Sequence, residues 1–301
     1  MAGKPSDAGW EVHGLHTPAR RTRSKRLRSL VLGVALVGVA TVAAGRVRLD
    51  RATTRRVDAL RSVAQAPADE VRRGDYADLP APVRRYFGAV LTEGRSHVRT
   101  ARLDQRGEFR LGGPSGSWKP MTATQHYAVD PPGFVWDATV DVAPLVPARV
   151  VDAYERGEGS LRALVYSTVP VAAADPGPAL DEGELLRYLA EAVWFPTALL
   201  PAAGVEWTAV DERAARATLA DRGSTAAAVF HFDEEGLVER VAVDERYRQE
   251  TDDYAPWTGR FGRYRWIDGL RVPTEASVEW TTPEGPLSYW RAQIAAVEYA
   301  P

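Results

Sequence analysis

Between residues 98 and 298 the chain alternates apolar and polar positions with a period of two. Ala101, Leu103, Phe109 and Leu111 alternate with Arg102, Asp104, Glu108 and Arg110. Phe134, Trp136, Ala138, Val140 and Val142 alternate with Asp137, Thr139 and Asp141, and Trp290, Ala292, Ile294 and Ala296 repeat the pattern near the C-terminus. One buried and one solvated face per strand is the signature of an antiparallel sheet. Turn signals divide the region, among them Gly112-Gly113-Pro114, Asp130-Pro131-Pro132-Gly133, Gly157-Glu158-Gly159, Asp268-Gly269 and Pro283-Glu284-Gly285. They imply about ten or eleven strands. No βαβ alternation is visible, which argues against a parallel sheet.

Two helices interrupt this period. Leu79 to Leu91 reads as a short one, with Pro82 near its first turn and Gly88 near its end. In the second, Asp181 is a candidate cap, Glu184 closes a capping box, and Leu185, Tyr188, Leu189 and Ala192 form an apolar stripe. This predicts a helix over residues 181–195, ended by Pro196. Glu184, Arg187 and Glu191 fall on another face at ion-pairing spacings and read as solvated pairs rather than an acid/base dyad. A helix placed after about five strands suits a sheet curved around it. The expected fold is mainly β (α+β): a large curved antiparallel sheet or half-barrel wrapped around one inserted helix, preceded by an N-terminal transmembrane helix.

That last element rests on an uncharged run, Ser29 to Gly45, with arginines on both sides. At about 1.5 Å per residue it spans roughly 25 Å, and extension through Val47 and Leu49, with Arg46 and Arg48 snorkelling, brings it near the bilayer thickness of about 30 Å. A cleaved export signal ending at Val42-Ala43-Ala44 is the rival reading, but the basic residues directly after it disfavour cleavage. A buried helix is a third. Arg20-Arg21 lacks the following residues of a twin-arginine signal. The expected organisation is a disordered basic tail over 1–28, a membrane anchor over 29–49, a helical stalk and linker over 50–78, and a β-rich domain over 79–301. The bilayer is then one partner through 29–49. A short, strongly basic tail translocates less readily than a long domain, so the expected location is a cell membrane, single-pass, with the C-terminal domain extracytoplasmic.

Composition removes several classes of function. The chain has no cysteine, which excludes disulfides, a lipoprotein anchor, thiolate catalysis and cysteine-held metal. A net charge of -2 argues against a nucleic-acid partner. His97, His126 and His231 are not at metal-ligand spacings and read as strand histidines. No serine sits in a Gly-x-Ser-x-Gly elbow, and the glycine-rich pieces lie in hairpin turns rather than between strand and helix. No catalytic residue, metal or cofactor is therefore expected.

Three stretches resemble a bacterial family known only as a domain of unknown function. They are Leu79-Pro-Ala-Pro-Val-Arg-Arg-Tyr-Phe87, the segment from Gly183 through Trp194-Phe195-Pro196 to Pro201, and Pro256-Trp-Thr-Gly259 with Arg271-Val-Pro-Thr-Glu275 following. The likeness covers roughly residues 75–298 and implies no reaction. The architecture is also similar, more loosely, to the lipoprotein-carrier half-barrels of cell envelopes.

Polar residues on apolar strand faces are the remaining signal. Gln105 falls in the Leu103–Phe109 row, Gln125 lies between Ala123 and Tyr127, and Glu239 and Glu245 share a row with Leu237, Val241, Val243 and Tyr247. An amide or carboxylate buried without a partner costs a few kcal/mol, so such groups face a wet cavity, a ligand or each other. Trp136, Trp194, Trp207, Trp257, Trp266, Trp280 and Trp290 fall mostly at inward strand positions or element ends, suited to core packing or to the walls of an incompletely filled concavity. Trp194 and Phe195 stand where Pro196 breaks the helix, as plug or gate. The candidate ligand-binding residues are thus Gln105, Gln125, Trp136, Tyr188, Trp194, Phe195, Glu245 and Tyr247. The expected role is binding of a hydrophobic or lipid-like ligand between sheet and helix. The alternatives are an envelope interaction domain with a fully packed sheet and, third, a carboxylate-dependent hydrolase.

Overall fold

The computed structural model describes residues 1, 20–67, 69–249 and 251–301, without the side chains of 20–35. Most of the expected basic tail falls outside it. The chain forms two compact units, residues 1–44 and 45–301. In the first, the backbone is helical from Arg20, and Leu36, Val37 and Val39 are exposed. This is the start of helix α1, Arg20–Val63. Among the described residues no helix is long and apolar enough to cross a membrane, so the structure does not support the expected transmembrane helix.

The second unit contains two further helices, α2 (Ala81–Val90) and α3 (Pro178–Glu191). Its first six strands are β1 (Thr100–Leu111), β2 (Ser117–Ala128), β3 (Gly133–Ala143), β4 (Val146–Glu155), β5 (Glu158–Val165) and β6 (Val169–Ala174). After α3 come β7 (Glu206–Asp211), β8 (Ala214–Asp221), β9 (Ser224–Phe232), β10 (Val238–Arg248) and β11 (Asp253–Gly262). The chain ends with β12 (Arg265–Ile267), β13 (Leu270–Val272), β14 (Glu275–Thr282) and β15 (Gly285–Ala300). Thirteen strands make one antiparallel sheet, in the order β6-β5-β4-β3-β2-β1-β15-β14-β11-β10-β9-β8-β7, and β12-β13 form a separate hairpin. The sheet is larger than the ten or eleven strands the turn signals imply. Its outer strands β6 and β7 are short and mostly exposed, so their patterns carry little alternation.

The topology is two meanders joined edge to edge by β1 and β15, with Leu103 opposite Val297 and Phe109 opposite Trp290. Gly107 sits in that seam. A Cβ there would lie 2.0 Å from the Arg291 carbonyl oxygen, so only glycine lets the two strands close. The link between the meanders is α3 and three 3-10 turns, and α3 packs against β3, β4 and β5 of one meander and β8, β9 and β10 of the other. One large apolar core fills the space enclosed.

Helix α2 forms where expected. Its buried face is Pro82, Val83, Tyr86, Phe87 and Val90, with the Phe87 ring edge-on to Trp207 at 6.4 Å. Helix α3 begins earlier than expected. Pro178 stands in its first turn behind Gly177, which provides no side-chain cap. Asp181 instead accepts the backbone N–H of Gly159, 2.6 Å away, and ties the helix to β5. The helix ends at Glu191, and Ala192–Trp194 make a 3-10 turn before the break at Phe195. The C-terminal part of α1 and the residue after it cover the other face of the sheet, where Val57, Leu60 and Ala64 pack on Ala128, Val135, Val151 and Ala153.

Candidate functional site

Between α3 and the concave face lies a cavity of about 520 Å³, within the range of about 300–1,000 Å³ usual for small-molecule sites. A sheet packed solid would leave no such space. The strand register grades its lining. Trp136 on β3 stands opposite Asp152 on β4, Ala138 opposite Val150, and Val140 opposite Ala148. Moving from Asp152 to Ala148, four residues at about 3.3 Å each, the wall changes from polar to apolar over roughly 13 Å. Leu161, Ala163 and Val165 of β5 extend the apolar wall, and Trp257, Trp280, Tyr289 and Trp290 close the other side. The edge strand β6 borders the cavity with Val171 and Ala172, and the Gln249 amide donates across to the Ala173 carbonyl at 3.3 Å.

The polar wall comes mostly from α3. Its turns place Glu184, Arg187 and Glu191 on one stripe, and that stripe faces the cavity while Leu185, Tyr188 and Leu189 face the core. These are therefore not the solvated ion pairs their spacing suggests. The curved sheet passes around both sides of the helix and buries its charged face as well. Arg187 is the hub. Its Nε donates to Glu191 at 2.9 Å and its Nη1 to Asp152 at 2.5 Å, and its guanidinium lies 4.8 Å from the Phe134 ring and 5.2 Å from that of Trp136. Burial works against its charge, but Glu191, Asp152 and Glu184 outweigh it and raise its pKa. Arg246 lies over Trp257 at 5.1 Å and Trp280 at 5.6 Å, and donates to the Gly183 carbonyl at 3.2 Å.

The two glutamines of the strand rows belong to the same network. Gln105 accepts from the Trp136 indole N–H at 2.9 Å and donates to Gln125 at 3.0 Å. Gln125 donates to Glu191 at 2.8 Å, and the Tyr127 hydroxyl donates to the same carboxylate oxygen at 2.9 Å. Burial, then the Glu191 carboxylate, raises the Tyr127 pKa, so this hydroxyl stays protonated as a donor. Gln105 and Gln125 are thus buried and mutually satisfied behind the wall rather than lining it.

Of the other candidates, Trp136 and Tyr247 line the cavity. Tyr188 is a core residue whose hydroxyl donates to the Val129 carbonyl at 3.3 Å. Trp194 and Phe195 are fully buried away from the cavity. The Trp194 ring meets Phe261 edge-on at 5.9 Å, and Phe195 lies 4.5 Å from Tyr127. Glu245 is corrected outright. Register irregularities on β10 between Val238 and Arg240 and between Val243 and Arg246 shift the inward row, so Glu239 and Glu245 are exposed and Arg246 turns inward. Trp266 is also exposed, on the separate hairpin.

Strand patterning missed Asp152 and Arg246 and misjudged the α3 charges. Asp152 had a readable signal, an acid in the row Ala148, Val150, Tyr154. Arg246 had none, because a bulge leaves no regular mark in a single sequence.

Electrostatics sharpen the picture of this wall. Burial, then the Asp152 carboxylate, pushes the Glu184 pKa up from 4.5 to about 8. Asp152 is raised as well, by burial against the pull of Arg187 and Arg246. His97, His126 and His231 all have pKa values lowered chiefly by burial, His126 to about 4 with Arg61 and Arg102 adding to the effect. Among the described residues no group of three or more His, Asp or Glu is placed to hold a metal ion.

The domain is thus a large antiparallel sheet around one inserted helix, with a cavity between them. The chain belongs to a family of unknown function, DUF6920, which it matches over residues 77–299, as the three sequence stretches implied. No curated protein matches it. Among solved structures it is similar to a LolA superfamily protein from Nitrosomonas europaea, at 11% identity and a TM-score of 0.33, over 76% of this chain and 91% of that one. It is also similar to a beta-barrel-like protein of the domain of unknown function DUF1849 from Brucella abortus, at 10% identity and a TM-score of 0.23, over 68% and 99% of the two chains. At scores this low neither likeness bears on what the chain binds.

Proposed function

We propose that the β-rich domain binds an amphiphilic, lipid-like molecule in the cavity between α3 and the concave sheet. The observation that carries this reading is the cavity itself, about 520 Å³, apolar along β3, β4 and β5 and polar where α3 meets β4 and β10. The binding requires no cofactor and no covalent step. Titration of the full chain with Nile red, with organic extraction of whatever co-purifies, tests it. The unmodified protein is expected to enhance the dye's fluorescence saturably. Ala163→Trp, which fills the cavity from β5, is expected to abolish this. Absence of saturable dye binding together with no extractable amphiphile would overturn the reading.

The same proposal places the domain on the outer side of a cell membrane, tethered through residues 29–49. The uncharged run with its arginine flanks supports the tether, and the poorer translocation of a short, strongly basic tail than of a long domain supports the orientation. Alkaline carbonate extraction of membranes tests the tether. Retention of the full chain in the pellet is expected, and its release would remove the tether from the proposal.

A further inference from the structure

Three buried polar atoms of the cavity wall have no hydrogen-bond partner: Asp152 Oδ1, Glu184 Oε2 and Arg246 Nε. All three residues line the cavity, and none is more than 8% exposed. Buried polar atoms are normally paired, so three orphans on one wall point to a group that arrives from outside. The rest of the wall limits what that group can be. Arg187 is taken up by Asp152 and Glu191, with Glu184 3.9 Å away. Arg246 also holds the Gly183 carbonyl. A carboxylate or phosphate head would share Arg246 with the Gly183 carbonyl and face the Asp152 and Glu184 carboxyl groups. An ammonium head would face two guanidinium groups. With Glu184 neutral, Arg187 and Arg246 are already matched in number by Asp152 and Glu191, so a head of either charge would add an unmatched buried charge, which is the costly arrangement. A neutral head with one acceptor and two donors satisfies Arg246 Nε, Asp152 Oδ1 and Glu184 Oε2 without adding charge.

We propose that the cavity selects amphiphiles with an uncharged, hydrogen-bonding head, such as the hydroxyl and ester groups of a monoacylglycerol, over fatty-acid anions and cationic amphiphiles. The inference rests on the ligand-binding reading above and adds the chemistry of the head. The grading along β3 and β4 orients such a ligand, with its head at Asp152 and its chain toward Val140 and Ala148.

The test is displacement of Nile red from the full chain at pH 7.5 by three probes sharing one chain: 1-monooleoylglycerol, oleate and oleylamine. Monooleoylglycerol is expected to displace the dye at about tenfold lower concentration than either charged probe or better. Asp152→Asn and Arg246→Met are expected to shrink that preference, read within each variant as the ratio of displacing concentrations of the three probes. Oleate or oleylamine binding as tightly as monooleoylglycerol to the unmodified chain would overturn the head assignment and leave the cavity reading standing. Failure of the dye itself to bind, with no amphiphile extractable from the protein, would overturn the cavity reading. The comparison of heads on the unmodified chain decides the proposal even if a variant does not fold.

Discussion

Glu184→Gln should make the unliganded protein more stable, and by an amount that grows with pH. Glu184 is buried, its Oε2 has no hydrogen-bond partner, and its nearest cations, Arg187 and Arg246, are 3.9 Å away. In the unfolded chain this carboxyl titrates at 4.5, and folding raises it to about 8. A carboxyl with a raised folded pKa binds more protons folded than unfolded. Its burial is therefore free of penalty below the unfolded pKa, and stability is lost as pH rises from about 4.5 to 8. With about 1.4 kcal/mol per pKa unit, the penalty reaches roughly 4 kcal/mol at pH 7.5 and is roughly 1 kcal/mol at pH 5. Glutamine has the same shape and no charge to lose, so it removes this penalty.

The assay is urea unfolding of wild type and variant at pH 5 and pH 7.5, with unchanged m values as the control for a comparable transition. The three histidines with lowered pKa values act in the opposite sense, because they must gain protons as pH falls. They are common to both proteins and drop out of the difference. The gain from Glu184→Gln should rise by about 3 kcal/mol between the two pH values as an upper figure. Asp152 is raised together with Glu184, so what is measured belongs to the pair. Equal stability differences at both pH values, or a loss at pH 7.5, would mean that Glu184 is ionised and well paired in the folded protein. The account of the polar wall would then be wrong.

Trp194→Ala should cost about 3–5 kcal/mol in urea unfolding and leave Nile red affinity unchanged, because the ring is buried beside Phe261 away from the cavity. An altered affinity with little loss of stability would restore the gate. Gln105→Leu leaves the Trp136 indole N–H and the Gln125 carbonyl oxygen unpaired, and a loss of roughly 2–4 kcal/mol is expected from two orphaned groups. Gly107→Ala should destabilise by about 1–3 kcal/mol or more, since the Cβ meets backbone and not a movable side chain. Leu60→Ala should cost about 2–5 kcal/mol if α1 is part of the fold, and an unchanged midpoint would show that it is not.

The strands that alternate cleanly, such as Phe134 to Val142 and Trp290 to Ile294, are the ones that lie centrally in the sheet with one face on the core. Their pattern is a direct image of their burial. The edges β6 and β7 are mostly exposed and have little buried face to print, so alternation does not reveal them. Val135, Val151 and Ala153 occupy the solvent-side parity, yet they are buried because α1 lies over them. An alternating pattern records parity and cannot say what covers the second face. The glutamines were legible as misplaced polar groups, but a row shows the anomaly and not the partner. Gln105 and Gln125 turn out to serve each other, Trp136 and Glu191. The α3 stripe was misread for a related reason. Spacing shows that Glu184, Arg187 and Glu191 share a face, and only the closure of two meanders around the helix shows where that face points.

The half-satisfied wall is hard to account for as packing. Replacing a buried charged cluster with apolar residues of similar volume is often neutral or stabilising, so a domain selected only to be a stable partner surface has no use for Glu184 and Asp152 where they stand. A binding site does. Its polar groups stay unpartnered until the ligand arrives, and the instability of the empty protein is the counterpart of affinity for the filled one. Stability and binding should then move in opposite directions at the same residue. The empty Glu184→Gln variant is the more stable protein, and a saturating neutral amphiphile should stabilise it less than it stabilises wild type. At a hundred times the dissociation constant, a ligand bound only to the folded state adds about 2.7 kcal/mol. A smaller increment in the variant at the same ligand concentration would tie the orphaned carboxyl to the ligand, whereas an equal increment would make it an accident of the fold.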